Sequence, residues 1–185
     1  LDMRFDVNAA CSAKDIVNDW SIFDLKNLFK KYRQERRASA ISWAIANARK
    51  KESIVSTGQL KNIIKSVADV RTTTKTLSRI FQAIRIAVND ELETLNRFLG
   101  IFANYLSKGG RIVVISYHSL EDGLVKQTFR ELEKGCICPP KFPVCCCDIT
   151  PSLKMLTKRV VQPTKLEVRI NNRARSARLR AMEKI

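Results

Sequence analysis

One histidine, six glycines and no long apolar run are what this 185-residue chain has least of. The single imidazole, His118, has no second histidine with which to exchange proton roles. No G-x-S-x-G elbow occurs either, which argues against a Ser/His hydrolase. The six glycines form no G-x-G and no Walker pattern, so nothing in the chain cradles a nucleotide-like cofactor in the usual way. An α/β enzyme built on this sequence would need its cofactor half from elsewhere. No segment approaches the roughly 18 apolar residues of a membrane span, and LDMRFD at the start lacks a signal-peptide apolar run. Residue 1 is leucine rather than methionine, which suggests a piece of a longer protein, with processing as the alternative. Six cysteines without a secretion signal fit reduced thiols in the cytoplasm.

What is abundant is positive charge. Lys and Arg number 34 against 18 acids, a net charge of +16, while 45% of residues are hydrophobic. A packed core is therefore expected, with a polyanionic partner: RNA or DNA first, an acidic membrane surface second. The alternative is a basic protein with no such partner.

The apolar pattern begins as helix. Ser12 and Ser21 each open a capping-box-like start, S-A-K-D and S-I-F-D. Leu25, Leu28, Phe29 and Tyr32 fall on one helical face, and Ala38, Ile41, Ile45 and Ala48 repeat it. Leu60, Ile63, Ile64 and Val67 follow the Thr57-Gly58 break, so the first ~70 residues predict four small helices. From Leu77 to Leu106 apolar residues recur by threes and fours, one helix or two in sequence, with Asn89 and Gly100 as candidate breaks. Lys108-Gly109-Gly110 ends that run.

Grammar then changes. Ile112–Ile115 predicts a strand buried on both faces, as in a parallel sheet. Ser119, with Asp122 three residues on, is expected to cap a helix near 120–133. Helix, glycine turn, buried strand, loop and helix together predict an α/β fold. Beyond a Cys/Pro-rich loop, Met155-Leu156 with Val160-Val161 suggests one strand, and the alternation over Leu166–Ile170 another.

Three stretches could carry chemistry. Ser116, Tyr117, His118 and Ser119 occupy the carboxyl end of the predicted strand, where open α/β sheets bind ligands. His118 there could bond a base, ribose or cofactor or act as acid/base; otherwise His118 and Ser119 merely cap the helix. Cys136, Cys138, Cys145 and Cys147 offer four thiolates to zinc, but C-x-C is tighter than the usual C-x(2–4)-C spacing, and loop thiols without metal are the main alternative. Arg173, Arg175, Arg178 and Arg180 could clamp RNA phosphates, or form a solvated surface.

Taken together, LDMRFD (1–6), STGQL (56–60), TLSRIFQAIRIAVNDEL (76–92), GGRIVVISYHSLED (109–122), CICPPKFPVCCC (136–147) and NNRARSARLRAMEKI (171–185) resemble the MraW family of small-subunit ribosomal RNA methyltransferases. The stretches keep family order and cover nearly the whole chain. The sequence departs from the family pattern at Tyr32-Arg33-Gln34-Glu35, at Asn171-Asn172 and at Cys146.

The resemblance implies S-adenosylmethionine-dependent N4-methylation of a cytidine in small-subunit ribosomal RNA. The partner it implies is that RNA or the 30S subunit, in the cytoplasm and not a membrane. It implies the C-terminal half of a class I (Rossmann-like) methyltransferase domain with an all-helical inserted domain. Residues 1–6 would end the first methyltransferase segment, 7–88 would be the insertion for substrate recognition, and 89–185 the returning half. The cofactor loop of the family precedes LDMR, so no cofactor-binding residue is expected in this chain. His118, Ser119 and Glu121 resemble residues lining the substrate side of the cleft, with a positioning or architectural role. Asp2 and Arg4 would sit at the junction of sheet and insertion, and Asn89, Asp90 and Glu91 at the re-entry. Cytosine N4 is a poor nucleophile because its lone pair is delocalised into the ring, so catalysis would need alignment and acceptors for the developing charge, and a base unstacked from the RNA.

A rival reading is a non-catalytic basic RNA-binding or ribosome-assembly module, for which tight, salt-sensitive RNA binding by the chain itself is expected. A half-sheet would expose an unpaired apolar strand edge, so the 185 residues alone are expected to be poorly soluble. A soluble preparation with a cooperative melt would contradict that expectation.

Overall fold

A computed structural model describes residues 1–33, 35–135, 138 and 151–185. The chain divides into two compact units, Leu1–Glu91 and Leu92–Ile185.

The first unit is helical. Helices α1 (Ala13–Asp19), α2 (Ile22–Arg33), α3 (Ala38–Arg49) and α4 (Thr57–Val67) are the four expected from periodicity, and α5 (Thr73–Val88) follows. Ser12 caps α1 in a reciprocal box with Asp15, and Ser56 caps α4 with Gln59. Each box satisfies backbone N–H groups that the first turn leaves open. The predicted apolar faces meet in one core. Leu25, Phe29, Ile41, Ile45, Leu60, Ile64, Ile80 and Ile84 are fully buried there, with Tyr32, Ile63, Val67 and Leu77 packed around them.

α5 ends at Asn89, whose side chain ties the last turn of the helix to the backbone at Met3 and Phe5. Its amide donates to Met3 O (2.8 Å) and to Arg85 O (2.9 Å), and its Oδ1 accepts from Phe5 N (2.7 Å). Asp90 then takes φ 48°, and Met3 takes φ 69°, the left-handed region that costs a side-chain-bearing residue energy and breaks a helix.

The second unit is α/β. It contains α6 (Glu91–Ile101), a 3-10 turn at Phe102–Tyr105, β1 (Arg111–Ser116), α7 (Ser119–Lys134), β2 (Leu153–Met155), α8 (Lys165–Ile170), a second 3-10 turn at Asn172–Ser176, and β3 (Arg178–Lys184). The strand order is β1-β3-β2, and β3 is antiparallel to both neighbours. β1 and β2 therefore point the same way with β3 between them, joined through α7. Ile112, Val125, Phe129, Leu153 and Met182 form the core with Leu99 and Phe102.

Several expectations are corrected here. β1 pairs antiparallel with β3, and among the described residues only one of its faces is covered: Val113 and Ile115 are 56% and 53% exposed. α7 packs on the other face, through Val125 and Phe129. Leu166–Ile170 is helix, not strand, because Thr164 and Glu167 close a capping box at its start. Val161 makes a single bridge to Leu179 rather than a strand, and Gly100 lies inside α6.

Phe129 is fully buried between α7 and the 3-10 turn, its ring 6.0 Å from that of Phe102. Phe129→Ala is expected to destabilise the second unit by about 3–5 kcal/mol, read as a lower midpoint in urea by far-UV circular dichroism.

Candidate functional site

The site starts where β1 runs out. Ser116 is buried, Tyr117 exposed, and His118 is the N-cap of α7 with extended backbone (φ −141°, ψ 163°). The expected cap was Ser119 with Asp122; the actual pair sits one residue earlier, His118 with Glu121. Glu121 N donates to His118 Nδ1 (3.2 Å), while Glu121 Oε2 accepts from Tyr117 N (2.9 Å) and His118 N (3.2 Å). With Nδ1 accepting, the ring proton of a neutral imidazole belongs on Nε2. Nε2 lies 3.2 Å from Glu121 Oε1, but the approach is not a hydrogen-bonding one, and among the described residues this buried nitrogen has no hydrogen-bond partner. Burial pushes the Glu121 carboxyl up, yet the His118 side chain and the Tyr117 and His118 amides outweigh it and hold it below its ordinary value. Glu121 is thus a carboxylate already committed to shaping the loop, with His118 as its counterpart.

One residue further on, Asp122 is 5% exposed and faces β3. Its Oδ1 accepts from Arg180 Nε (2.7 Å) and its Oδ2 from Arg178 Nη1 (3.1 Å) and Arg180 Nη2 (3.3 Å). Alternation along a strand puts Arg178 and Arg180 on the same face, and the register sets them opposite Ser116 and Val114 of β1. Burial raises the Asp122 carboxyl, and the two guanidinium groups more than reverse that, leaving it below its ordinary 3.8.

The four arginines expected to act together are therefore split. Arg180, expected among the phosphate-clamping arginines, is 7% exposed, and its guanidinium is engaged with Asp122. Arg178 shares that carboxylate but is partly exposed, and Arg173 and Arg175 stand in the 3-10 turn before β3. Sequence reasoning placed Asp122 in the helix cap and missed it as the acceptor of two arginines. Two arginines spaced by two on a strand were a signal of one shared acceptor, but its identity depended on the fold.

In the first unit Asp2 and Arg4 pair with each other, Arg4 Nε donating to Asp2 Oδ1 (2.7 Å) and Nη2 to Oδ2 (3.0 Å), while Nη1 donates to Ala9 O (2.8 Å). The side-chain and backbone bonds from Arg4 draw the Asp2 carboxyl down to about 2. Asn89 holds the neighbouring backbone, as described above, and Glu91 accepts from Arg85 at 2.8 and 3.0 Å. Cys138 is half-buried; Cys136, Cys145 and Cys147, the other thiols of the zinc expectation, lie outside the described residues.

A strand whose carboxyl end opens into a polar loop and a capped helix is the ligand-facing arrangement of α/β domains. Beyond that class, the model of the MraW methylase family matches residues 1–185, and the chain belongs to that family. It is 47% identical over 188 residues to ribosomal RNA small subunit methyltransferase H of Halothermothrix orenii, covering all of this chain and 60% of that protein. The protein of the same name from Thermomicrobium roseum is 48% identical over 186 residues (100% and 57% covered), and that from Finegoldia magna 45% over 189 (100% and 61%). The chain spans about three-fifths of the length of these curated relatives.

Asp122→Asn would leave Arg180 buried beside a neutral group, and breaking a buried pair in this way costs about 3–5 kcal/mol. The sign of the pH effect follows from the depressed carboxyl. Its contribution is complete above the ordinary 3.8 and is lost as pH falls through the lower folded-state value. Acid titration followed by near-ultraviolet circular dichroism should show the wild type losing stability below pH 3.8, with that component missing in the Asn variant.

Proposed function

We propose that this chain serves S-adenosylmethionine-dependent N4-methylation of a cytidine in small-subunit ribosomal RNA, with residues 89–185 as the returning half of a class I methyltransferase domain and residues 7–88 as a helical insertion. The single observation that carries the reading is the 47% identity, over the whole chain, to a ribosomal RNA small subunit methyltransferase H. The insertion is supported by Asn89, which holds the backbone at Met3 and Phe5: the segment entering the helical unit and the one leaving it lie side by side, as an inserted domain requires. The β1–α7–β2 crossover, with both strands pointing one way, is consistent with the class I half-domain.

The methyl donor supplies an electrophilic methyl group, and in this reading no residue of the chain is assigned to hold it. The sequence has no G-x-G, and the Glu121 carboxylate at the strand end is spent on Tyr117 and His118. What the chain does is set up the substrate side. Glu121 fixes the Tyr117–His118 backbone, the capping box orients the imidazole, and Asp122 ties α7 to the arginine strand. His118, Ser119 and Glu121 act here by positioning, and Arg173 and Arg175 are the arginines outside the Asp122 pair that can meet phosphate.

Two measurements test this reading. Calorimetry should find little S-adenosylmethionine binding by the 185 residues alone, and binding when they are joined to the remaining portion of a relative's length; a joined protein that ignores the donor sinks the proposal. In the joined protein His118→Asn keeps a good N-cap without an imidazole, whereas His118→Ala loses both. If His118 only positions the loop, methyl transfer should survive the Asn change within about threefold and drop about tenfold or more with Ala. Equal loss in both would give the imidazole a direct role.

A further inference from the structure

Two concavities in the helical unit differ in charge: the larger is acidic, and the smaller sets one cation, Lys51, against one anion, Glu52. The larger, of about 800 Å³, is rimmed by Asp19, Asp24 and Asp90 with Lys31 as its cation. Three carboxylates repel a phosphodiester. The smaller, about 440 Å³, lies between α3 and α4, with an apolar floor of Ala48, Ile54 and Ile63 and a polar rim of Asn47, Lys51, Glu52, Gln59 and Asn62. Among the described residues, the Asn47 and Asn62 carboxamides make no hydrogen bond within the protein.

One helical turn from Asn47 on the same face of α3 stands Trp43. It is 55% exposed, in a protein with two tryptophans. Its neighbours one turn back on that face, Ser39 and Ala40, are small and leave the indole uncovered. Lys50 lies two turns from Trp43, about 10 Å along the axis. Lys50 and Lys51 are exposed where α3 ends, next to Glu52, and Lys61 and Lys65 are exposed on α4. An uncovered indole, a shallow apolar groove with unspent carboxamides and a set of lysines are the three parts of a single-strand nucleic-acid platform. A face for an acidic peptide would not need the flat ring, and a duplex has no exposed base face to offer it.

We infer that the α3–α4 face binds single-stranded RNA, one base stacking on Trp43 and the next entering the groove beside Asn47 and Asn62, with Lys50 and Lys51 on the phosphates. This deepens the proposed function, on which the choice of RNA rests, by giving the helical unit an RNA-holding surface of its own.

The test uses the full chain and a short unstructured oligoribonucleotide, with no methyl donor present. In a Trp20→Phe background, tryptophan emission reports Trp43 and should be quenched on RNA binding. Trp43→Ala should weaken binding by about tenfold, and Trp43→Phe should recover most of it. Lys50→Gln with Lys51→Gln should lower the slope of log K against log salt by about 2. Unchanged melting of the Trp43 variants separates lost contact from lost fold. Binding unaffected by Trp43→Ala, equal affinity for duplex RNA, or an emission response to phosphatidylserine vesicles in place of RNA would each overturn the inference. Because no donor is present, a failure of methyl transfer in the joined protein leaves this result standing or falling by itself.

Discussion

The second unit depends on a carboxylate sealed between a helix and a strand. Asp122 sits in the first turn of α7, where the helix dipole already favours negative charge, and it receives both Arg178 and Arg180. Desolvating these charges is unfavourable, and the pair tolerates burial because the guanidinium fork fills the carboxylate's acceptor sites. The consequence is geometric. α7 cannot slide along the sheet without opening that contact, so the loop in front of it, with Tyr117, His118 and Glu121, keeps one orientation. A site whose residues reach the reaction through positioning needs this kind of fixed support.

The division of positive charge follows from the same fact. A net charge of +16 suggests a surface covered in cations, but several arginines are consumed internally. Arg180 and Arg178 hold Asp122, Arg85 holds Glu91, and Arg4 holds Asp2. The guanidinium's planar fork suits such fixed partners, while a lysine's compact, strongly hydrated charge favours solvent. The outward charge of the helical unit therefore includes lysines such as Lys50 and Lys51, while Arg4 and Arg85 are held by acids.

Helices were legible because their signals are local. Leu25, Leu28 and Phe29 declare their face within two turns, and Ser12 and Ser21 declare their starts within four residues. The α/β change at Ile112 was equally plain. Ambiguity entered where two local signals overlapped. His118 and Ser119 are adjacent possible caps with Glu121 and Asp122 as adjacent partners, and the longer glutamate reaches back while the aspartate is claimed by β3. Leu166–Ile170 is short enough to satisfy strand and helix periods alike, and Thr164 with Glu167 decides the matter. The role of Arg180 could not be read locally at all, since its partner lies 58 residues away in sequence. For the candidate site, the position of His118 at the strand end was readable, whereas the internal use of Glu121 and Asp122 was a matter of geometry.

The order of strands in space carries one more implication. β3 is made of residues 178–184, later in the chain than β1 and β2, yet it lies between them. During synthesis, at about 5–20 residues per second, the helical unit can close its core while the sheet still lacks its middle. Neither β1 nor β2 can pair with β3 until β3 leaves the exit tunnel, so these three strands are joined only after the two flanking ones have been held apart. In that interval the apolar edge of β1 is open to the wrong partner, which makes the wait for β3 the period in which this fold most needs protection.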